Sequence, residues 1–207
     1  MNNDEMIKKL IDDLDRISAI KPDDVPNIEL YMEQVTGFID SRLGGNVRYS
    51  NGERVLTKTM INNYAKNDLL PPPVKKKYSK EHVLILIYIY YFKQVMSISD
   101  IQSVLGPLTD RYFGRHRDVT LESLYRDVVS LEGSGIQDLK DDVINKYEAA
   151  AKLYDGDDEE EEFLRTFIFI CELSYDIYIK KRMIESIIDD YNAKHGDRLT
   201  DKKKKKK

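Results

Sequence analysis

Apolar residues recur along most of the chain at every third or fourth position, the spacing of helices with one buried face. A strict alternation of apolar and polar residues, typical of half-buried strands, is not sustained in any long segment. The pattern therefore predicts an all-α fold. The predicted helices cover residues 6–20, 27–43, 56–66, 98–105, 120–131, 139–154 and 163–191.

Residues that begin and end helices flank these segments. A hydroxyl or carboxamide side chain just before a helix accepts hydrogen bonds from its first free amides, and glycine or proline ends it. The predicted N-caps are Thr57, Ser79, Ser97 and Thr120. The predicted ends lie at Gly44–Gly45, Gly106–Pro107 and residues 133–135.

Residues 83–92 fit two kinds of element, because the β-branched and aromatic residues there suit a buried strand as well as a helix. We interpret the run as a helix, since Ser79 precedes it as a cap and helical spacing continues beyond it to Val95. Residues 163–191 predict one helix of roughly 40 Å. Its first half is apolar nearly all round, which predicts a central position or a subunit interface, with Cys171 a buried, inert thiol.

Charge is strongly segregated along the chain. The formal net charge is −4, and without the six lysines of residues 202–207 it is −10. We interpret those lysines, within a 196–207 tail, as disordered and rest no function on them. Residues 53–80 carry seven basic side chains and two acidic ones, whereas residues 155–162 carry seven acidic ones. This segregation indicates a surface that meets a charged partner.

Catalytic signatures are absent from the sequence. It contains neither common glycine-rich phosphate loop nor a histidine pair at zinc spacing, and its three histidines are scattered. The acidic run lacks the spacing of a calcium loop. We expect no enzyme activity, no metal and no cofactor. The N-terminus lacks a signal-peptide core, and the apolar runs are too short or too charged to cross a bilayer, so we expect a cytoplasmic protein.

The basic segment combines features of nucleic-acid binding. One side of the predicted 56–66 helix carries hydrogen-bonding and cationic side chains: Lys58, Thr59, Asn62, Asn63 and Lys66. Asparagine matches adenine in the major groove and lysine matches guanine, while lysines also release counterions from phosphates. Lys75, Lys76 and Lys77 follow three prolines, which impose an extended chain. The alternative interpretation is a solvated helix face followed by a basic loop.

The stretch from Met60 through Leu69-Leu70-Pro71 to Tyr78-Ser79 resembles the DNA-binding part of MerR-type regulators. In that family a recognition helix ends in a tyrosine, and a leucine pair, a proline and a basic wing ending in Tyr-Ser follow. The similarity spans residues 28–105, and the chain looks most like an uncharacterised bacterial family described as having this winged helix-turn-helix.

The resemblance implies roles for individual residues. Tyr64 would be the tyrosine that approaches a phosphate, although a core tyrosine is an equally good interpretation. Lys76 or Lys77 would be the basic contact of the wing, and Tyr78 would pack the wing on the next helix. The chain departs from the family pattern at two positions: Asn62 stands in place of arginine, and Asp68 in place of glycine. The segment after residue 43 is also longer than a normal helix-turn-helix turn.

Our first hypothesis is a DNA-binding transcriptional regulator that acts as a homodimer on double-stranded DNA. Residues 1–26 would form an N-terminal helix and linker, 27–107 the MerR-like winged helix-turn-helix, and 108–195 a helical region for dimerisation or sensing. The second hypothesis is a helical module that binds a protein partner through the acidic segment or the apolar helix, without DNA. The steep salt dependence of phosphate contacts separates the two.

Overall fold

The computed structural model describes residues 3–16, 19–46, 55–115, 117–156 and 158–195. These residues form seven α-helices and one two-stranded sheet, so the fold is mostly helical, as the hydrophobic pattern predicts. The chain divides into two compact units. The first comprises Met1–Ala19 and Asp127–Lys180, and the second comprises Ile20–Arg126 and Lys181–Lys207.

The second unit contains six elements in the predicted winged helix-turn-helix region, and the last of them extends five residues beyond residue 107. In chain order they are β1 (Leu30–Tyr31), α2 (Met32–Leu43), α3 (Lys58–Lys66), β2 (Lys77–Tyr78), α4 (Lys80–Phe92) and α5 (Ile98–Tyr112). The two strands pair antiparallel, with Leu30 opposite Tyr78. The prediction of a helix from residue 27 is wrong at its start, because Leu30 pairs in the sheet instead. Of the long segment that follows residue 43, residues 47–54 lie outside the described residues.

The core of the second unit is built around α4. Five consecutive residues, Val83 to Ile87, are fully buried, as in a helix that other elements surround rather than one with a single apolar face. The backbone amide of Ser79 donates to Nδ1 of His82 at 3.0 Å, and this bond satisfies an amide at the helix start. The choice of helix over strand is therefore confirmed, and Ser79 is its N-cap.

Two predicted helix ends are wrong. Helix α5 continues through Gly106 and Pro107 to Tyr112. A proline inside a helix costs about 3 kcal/mol, but this segment is held by packing, since Leu105 is buried and Leu108 is half-buried. Likewise α6 (Leu121–Leu153) passes through residues 133–135 without a break. Residues 131–135 are exposed, so the helix formers on both sides, and not packing, offset the cost of two glycines, about 1 kcal/mol each.

The first unit contains α1 (Asn3–Arg16) and most of α6 and α7. Its core is a cluster of Val143, Tyr147, Ala150 and Phe169, against which apolar residues of α1 pack. Lys146 binds the carboxylates of Asp142 and Asp176, the latter at 2.7 Å. The hydrogen bonds that Lys146 donates to Asp142 and to Asp176 raise the pKa of Lys146. The first predicted helix is wrong at its end, because residues 19 and 20 are not helical, and residues 17 and 18 lie outside the described residues.

Helix α7 runs from Glu159 to His195, 37 residues or about 55 Å. The single long helix predicted over residues 163–191 is thus confirmed, and it begins within the acidic run, whose four glutamates fill its first turn. Negative side chains are favourable there because the helix dipole is positive at the N-terminus. The prediction for Cys171 is wrong, because this free cysteine is exposed on α7. Among the described residues, no helix is both long and apolar enough to cross a membrane.

Candidate nucleic-acid interface

Helix α3 has one buried side and one solvent-facing side. Ile61 and Tyr64 are 0 % and 7 % exposed and anchor the helix in the core. The hydroxyl of Thr57 accepts a hydrogen bond from the Met60 amide at 3.2 Å, which confirms the predicted cap. The opposite side is fully polar and exposed; it consists of Lys58, Thr59, Asn62, Asn63 and Lys66. All five side chains predicted for this side are therefore free of the core.

Tyr64 lies on the buried side of α3. Burial raises the pKa of its hydroxyl group. Of the two interpretations that the sequence left open, the structure supports the core tyrosine. Tyr64 does not belong to the exposed polar side of α3. Tyr78 is also buried, at 3 % exposure, and its ring meets the edge of His82 on α4 with 5.5 Å between centroids. This contact packs the end of the basic segment on α4, as the resemblance implies for Tyr78.

The basic segment forms a tight turn from Val74 to Lys77. The amide of Lys77 donates to the carbonyl of Val74 at 2.9 Å, and the two residues form a β-bridge. The central residues Lys75 and Lys76 have φ angles of 49° and 63°. Two consecutive positive φ values define a type I′ turn, for which Asn-Gly is the preferred sequence. Both lysines are exposed at the tip of this turn.

The lysines differ in the partners that the fold supplies. Lys58 Nζ lies 2.5 Å from Glu33 Oε1, and Lys77 Nζ lies 3.4 Å from Glu29 Oε2. Within the described part of the chain, Lys66, Lys75 and Lys76 form no ion pair. The sequence made no distinction among the five lysines predicted to contact DNA. In the structure, Lys66, Lys75 and Lys76 are unpaired, whereas an exposed carboxylate partly neutralises Lys58 and another partly neutralises Lys77. Lys80, which lies next to this set, pairs with Glu122.

These ion pairs tie α3 and the turn to one surface region. Glu29 and Glu33 are only four residues apart, so their Cα atoms lie within about 14 Å of each other. Lys58, at the start of α3, and Lys77, at the end of the turn, each bind one of these two carboxylates. The sequence contains no signal for this arrangement, because the Lys58–Glu33 pair joins residues 25 positions apart.

The end of α3 carries the second departure from the family pattern. Asp68 has a φ of 55°, in the left-handed region that glycine adopts without strain. Aspartate tolerates this conformation better than most residues. The carbonyl of Asn67 accepts a hydrogen bond from Gln102 on α5 at 2.5 Å. Sequence reasoning missed Gln102, which holds the end of the candidate recognition helix.

His82 is a buried titratable group at the start of α4. Its Nδ1 caps α4 through Ser79, and its ring also meets Phe113 edge-on at 4.7 Å. Nε2 lies near the carbonyls of Pro72 and Pro71 but forms no well-directed hydrogen bond among the described residues. Burial lowers the pKa of His82, and the two carbonyls only partly offset this effect. The imidazole is thus part of the packing between the proline segment and α4.

A sequence family described as a domain of unknown function, DUF1836, matches residues 20–128. This range is more than half of the chain. The chain belongs to the DUF1836 family. No curated protein and no solved structure matches the chain. The DUF1836 range begins where the second unit begins and ends two residues beyond its first segment. The exposed side of α3 and the Val74–Lys77 turn therefore lie wholly within the DUF1836 region.

Proposed function

We propose that this protein is a DNA-binding transcriptional regulator with a MerR-like winged helix-turn-helix. In this proposal α2 and α3 are the helix-turn-helix pair, α3 is the recognition helix, and the turn between β2 and the proline segment is the wing. The observation that carries the proposal is the exposed polar side of α3, which presents cations and carboxamides from a helix whose other side is held in the core.

The chemistry of these side chains suits duplex DNA. An α-helix fits the major groove, where the carboxamides of Asn62 and Asn63 can pair with adenine edges. Lys66, unpaired at the end of α3, and the turn lysines would hold phosphates and so set the register of the helix. Lys58 would exchange Glu33 for a phosphate, an inexpensive exchange because both side chains are exposed.

The backbone of the wing turn gives independent support. A lysine in the left-handed region costs about 1 kcal/mol or more, and Lys75 and Lys76 both adopt it. Strained residues of this kind are found preferentially at functional sites. In this proposal the two lysines occupy a turn better suited to Asn-Gly because their charges contact the DNA backbone.

Helix α7 provides a surface for a second copy of the chain. Positions spaced alternately by four and three residues form its exposed seam, the spacing at which two helices pack in a coiled coil. These positions are Phe163, Phe167, Ile170, Ser174 and Ile177. The four apolar ones are each more than half exposed. A symmetric dimer through this seam would carry two recognition helices, as a near-palindromic site requires.

Binding to DNA is tested by selecting duplexes from a random pool and titrating the best one at several salt concentrations. The triple variant Lys58→Ala/Asn62→Ala/Lys66→Ala should lose specific retardation while it keeps its helical circular dichroism. The matched control removes the same residue types from the exposed surface of the first unit: Lys8→Ala/Lys9→Ala/Asn145→Ala. Equal binding by both triple variants would contradict the assignment of α3.

The second candidate function is a helical module that binds another protein, and the exposed seam of α7 favours it. Sedimentation equilibrium separates self-association from this alternative. Phe167→Glu should dissociate a dimer, whereas Glu172→Gln on the same helix should not. Crosslinking through the exposed Cys171 gives a second readout. A monomer whose partner binding is insensitive to salt would favour the interaction module over the DNA-binding dimer.

A further inference from the structure

A cleft in the second unit lies between α5 and the C-terminal end of α7. Its volume is about 320 Å³, within the range of sites that hold small molecules. Its lining residues are Ser103, Val104, Pro107, Leu108, Arg111, Tyr112, Ile187, Ile188 and Tyr191. Proline 107, which does not end α5, thus lies in the wall of this cleft, and the helix continues far enough to supply Arg111 and Tyr112.

The lining is apolar except at one side. Ile188 is 5 % exposed and fastens α7 to this unit, and Val104 and Leu108 form part of the opposite wall. Arg111 is the one charged residue of the lining and forms no ion pair among the residues that the structure describes. An unpaired guanidinium in an acidic chain is notable, since acidic side chains outnumber basic ones. Its planar donors match a carboxylate in two-point contact.

We propose that this cleft binds a small amphipathic carboxylate, with its apolar body against α5 and α7 and its head group on Arg111. An apolar molecule without charge would leave the guanidinium unused, and a polar metabolite would leave apolar walls in contact with its polar groups. The combination of an apolar lining and a single cation selects molecules that carry both features.

Occupancy of the cleft would reach the recognition helix through α5. Ser103 lines the cleft and accepts a hydrogen bond from Asn192 of α7 at 3.2 Å. The preceding residue, Gln102, donates to the carbonyl of Asn67 at the end of α3. A ligand that changes how α5 sits on α7 therefore acts on the support of α3. This regulatory consequence rests on the proposed DNA-binding function, whereas ligand binding itself does not.

Calorimetric titration of the full chain tests the binding. The probes are octanoate and 4-phenylbutyrate, which separate an aliphatic from an aromatic body, and octanamide, which lacks the charge. We expect saturable 1:1 binding of at least one carboxylate. Arg111→Met should weaken that binding at least tenfold and leave octanamide unaffected, and Arg115→Met, also an exposed arginine just beyond α5, should leave both unchanged. Val104→Trp, at a partly exposed position, should fill the cleft and abolish binding of every probe.

Two results would overturn the proposal: no saturable binding of either carboxylate, or carboxylate binding that Arg111→Met or Val104→Trp leaves intact. The regulatory consequence has its own measurement. The carboxylate that binds should change the affinity for the selected DNA in the wild type and not in Arg111→Met. If the protein binds no DNA, the calorimetric outcome still decides whether the cleft is a ligand site.

Discussion

The wing turn offers a prediction in which stability and DNA binding change in opposite directions. The perturbation is Lys75→Asn/Lys76→Gly, which gives the type I′ turn its preferred sequence. It changes no buried side chain, because both lysines are exposed, and the hydrogen bond from Lys77 to Val74 remains possible. The variant therefore removes backbone strain and two charges together.

The magnitudes follow from these two changes. Glycine at position 76 removes a left-handed penalty of about 1–2 kcal/mol. It also costs about 0.5–1 kcal/mol of stability, because glycine gives the unfolded chain more conformational entropy. With the smaller gain from asparagine at position 75, the net stabilisation is about 1 kcal/mol, or about 2–4 °C in Tm for a chain of this size.

If Lys75 and Lys76 each neutralise one phosphate, the slope of log K against log salt falls by about 1.8. Extrapolated from 1 M salt, this is about a 30-fold loss of affinity at 0.15 M.

The assay is fluorescence anisotropy with the selected duplex from 0.05 to 0.3 M salt, together with thermal unfolding followed by circular dichroism. Lys75→Arg/Lys76→Arg keeps charge and strain, so it should bind like the wild type. Lys8→Gln/Lys9→Gln removes two exposed charges from the first unit and should preserve the salt slope. A more stable Lys75→Asn/Lys76→Gly variant with unchanged affinity and slope would refute the proposed role of the turn.

Three further predictions concern single features of the fold. Gly133→Ala and Gly135→Ala should each stabilise the protein by about 0.5–1 kcal/mol, because a new Cβ meets no atom within 4 Å inside α6; a lower urea midpoint would contradict an uninterrupted helix. His82 has a lowered pKa when folded, so the unfolded chain binds more protons below the ordinary value of 6.5, and stability should decrease as the pH falls below it. His82→Gln keeps a capping side chain that does not titrate. Urea titrations between pH 7.5 and 5 should show that its free energy of unfolding changes less with pH than that of the wild type; an identical pH dependence would exclude His82 as the cause. Asp68→Asn preserves the left-handed backbone and removes a carboxylate near α3, so it should raise DNA affinity roughly twofold to fivefold at equal Tm, the size of an exposed charge interaction; weaker binding in the anisotropy assay would place Asp68 away from the DNA.

Local chemistry made several features predictable from the sequence. The caps at Thr57 and Ser79 depend only on a side chain and amides within three residues, and both form as predicted. The exposed side of α3 follows from helical spacing around Ile61 and Tyr64. The run of lysines at 75–77 can be recognised in the sequence. The positive φ angles of Lys75 and Lys76 cannot be predicted from it, since they depend on the pairing of β2 with β1.

Other features were decided by tertiary packing. Pro107 is a helix breaker by local preference, yet α5 continues, because the packing of Leu105 and Leu108 offsets a penalty of about 3 kcal/mol. The glycines of residues 133–135 are exposed, and the helix formers around them offset about 1 kcal/mol each. Local pattern also could not decide burial at Cys171 and Tyr64. Each lies among apolar residues of its helix, yet Cys171 is exposed and Tyr64 is buried.

Hydrophobic spacing thus determined that the chain is helical and which side of α3 faces solvent, because both depend on neighbours within four residues. The ion pairs of Lys58 and Lys77, the support of α3 by Gln102 and the cleft around Arg111 join residues that are distant in sequence. Only the packing of whole elements decides such contacts, and no local pattern of residues carries that information.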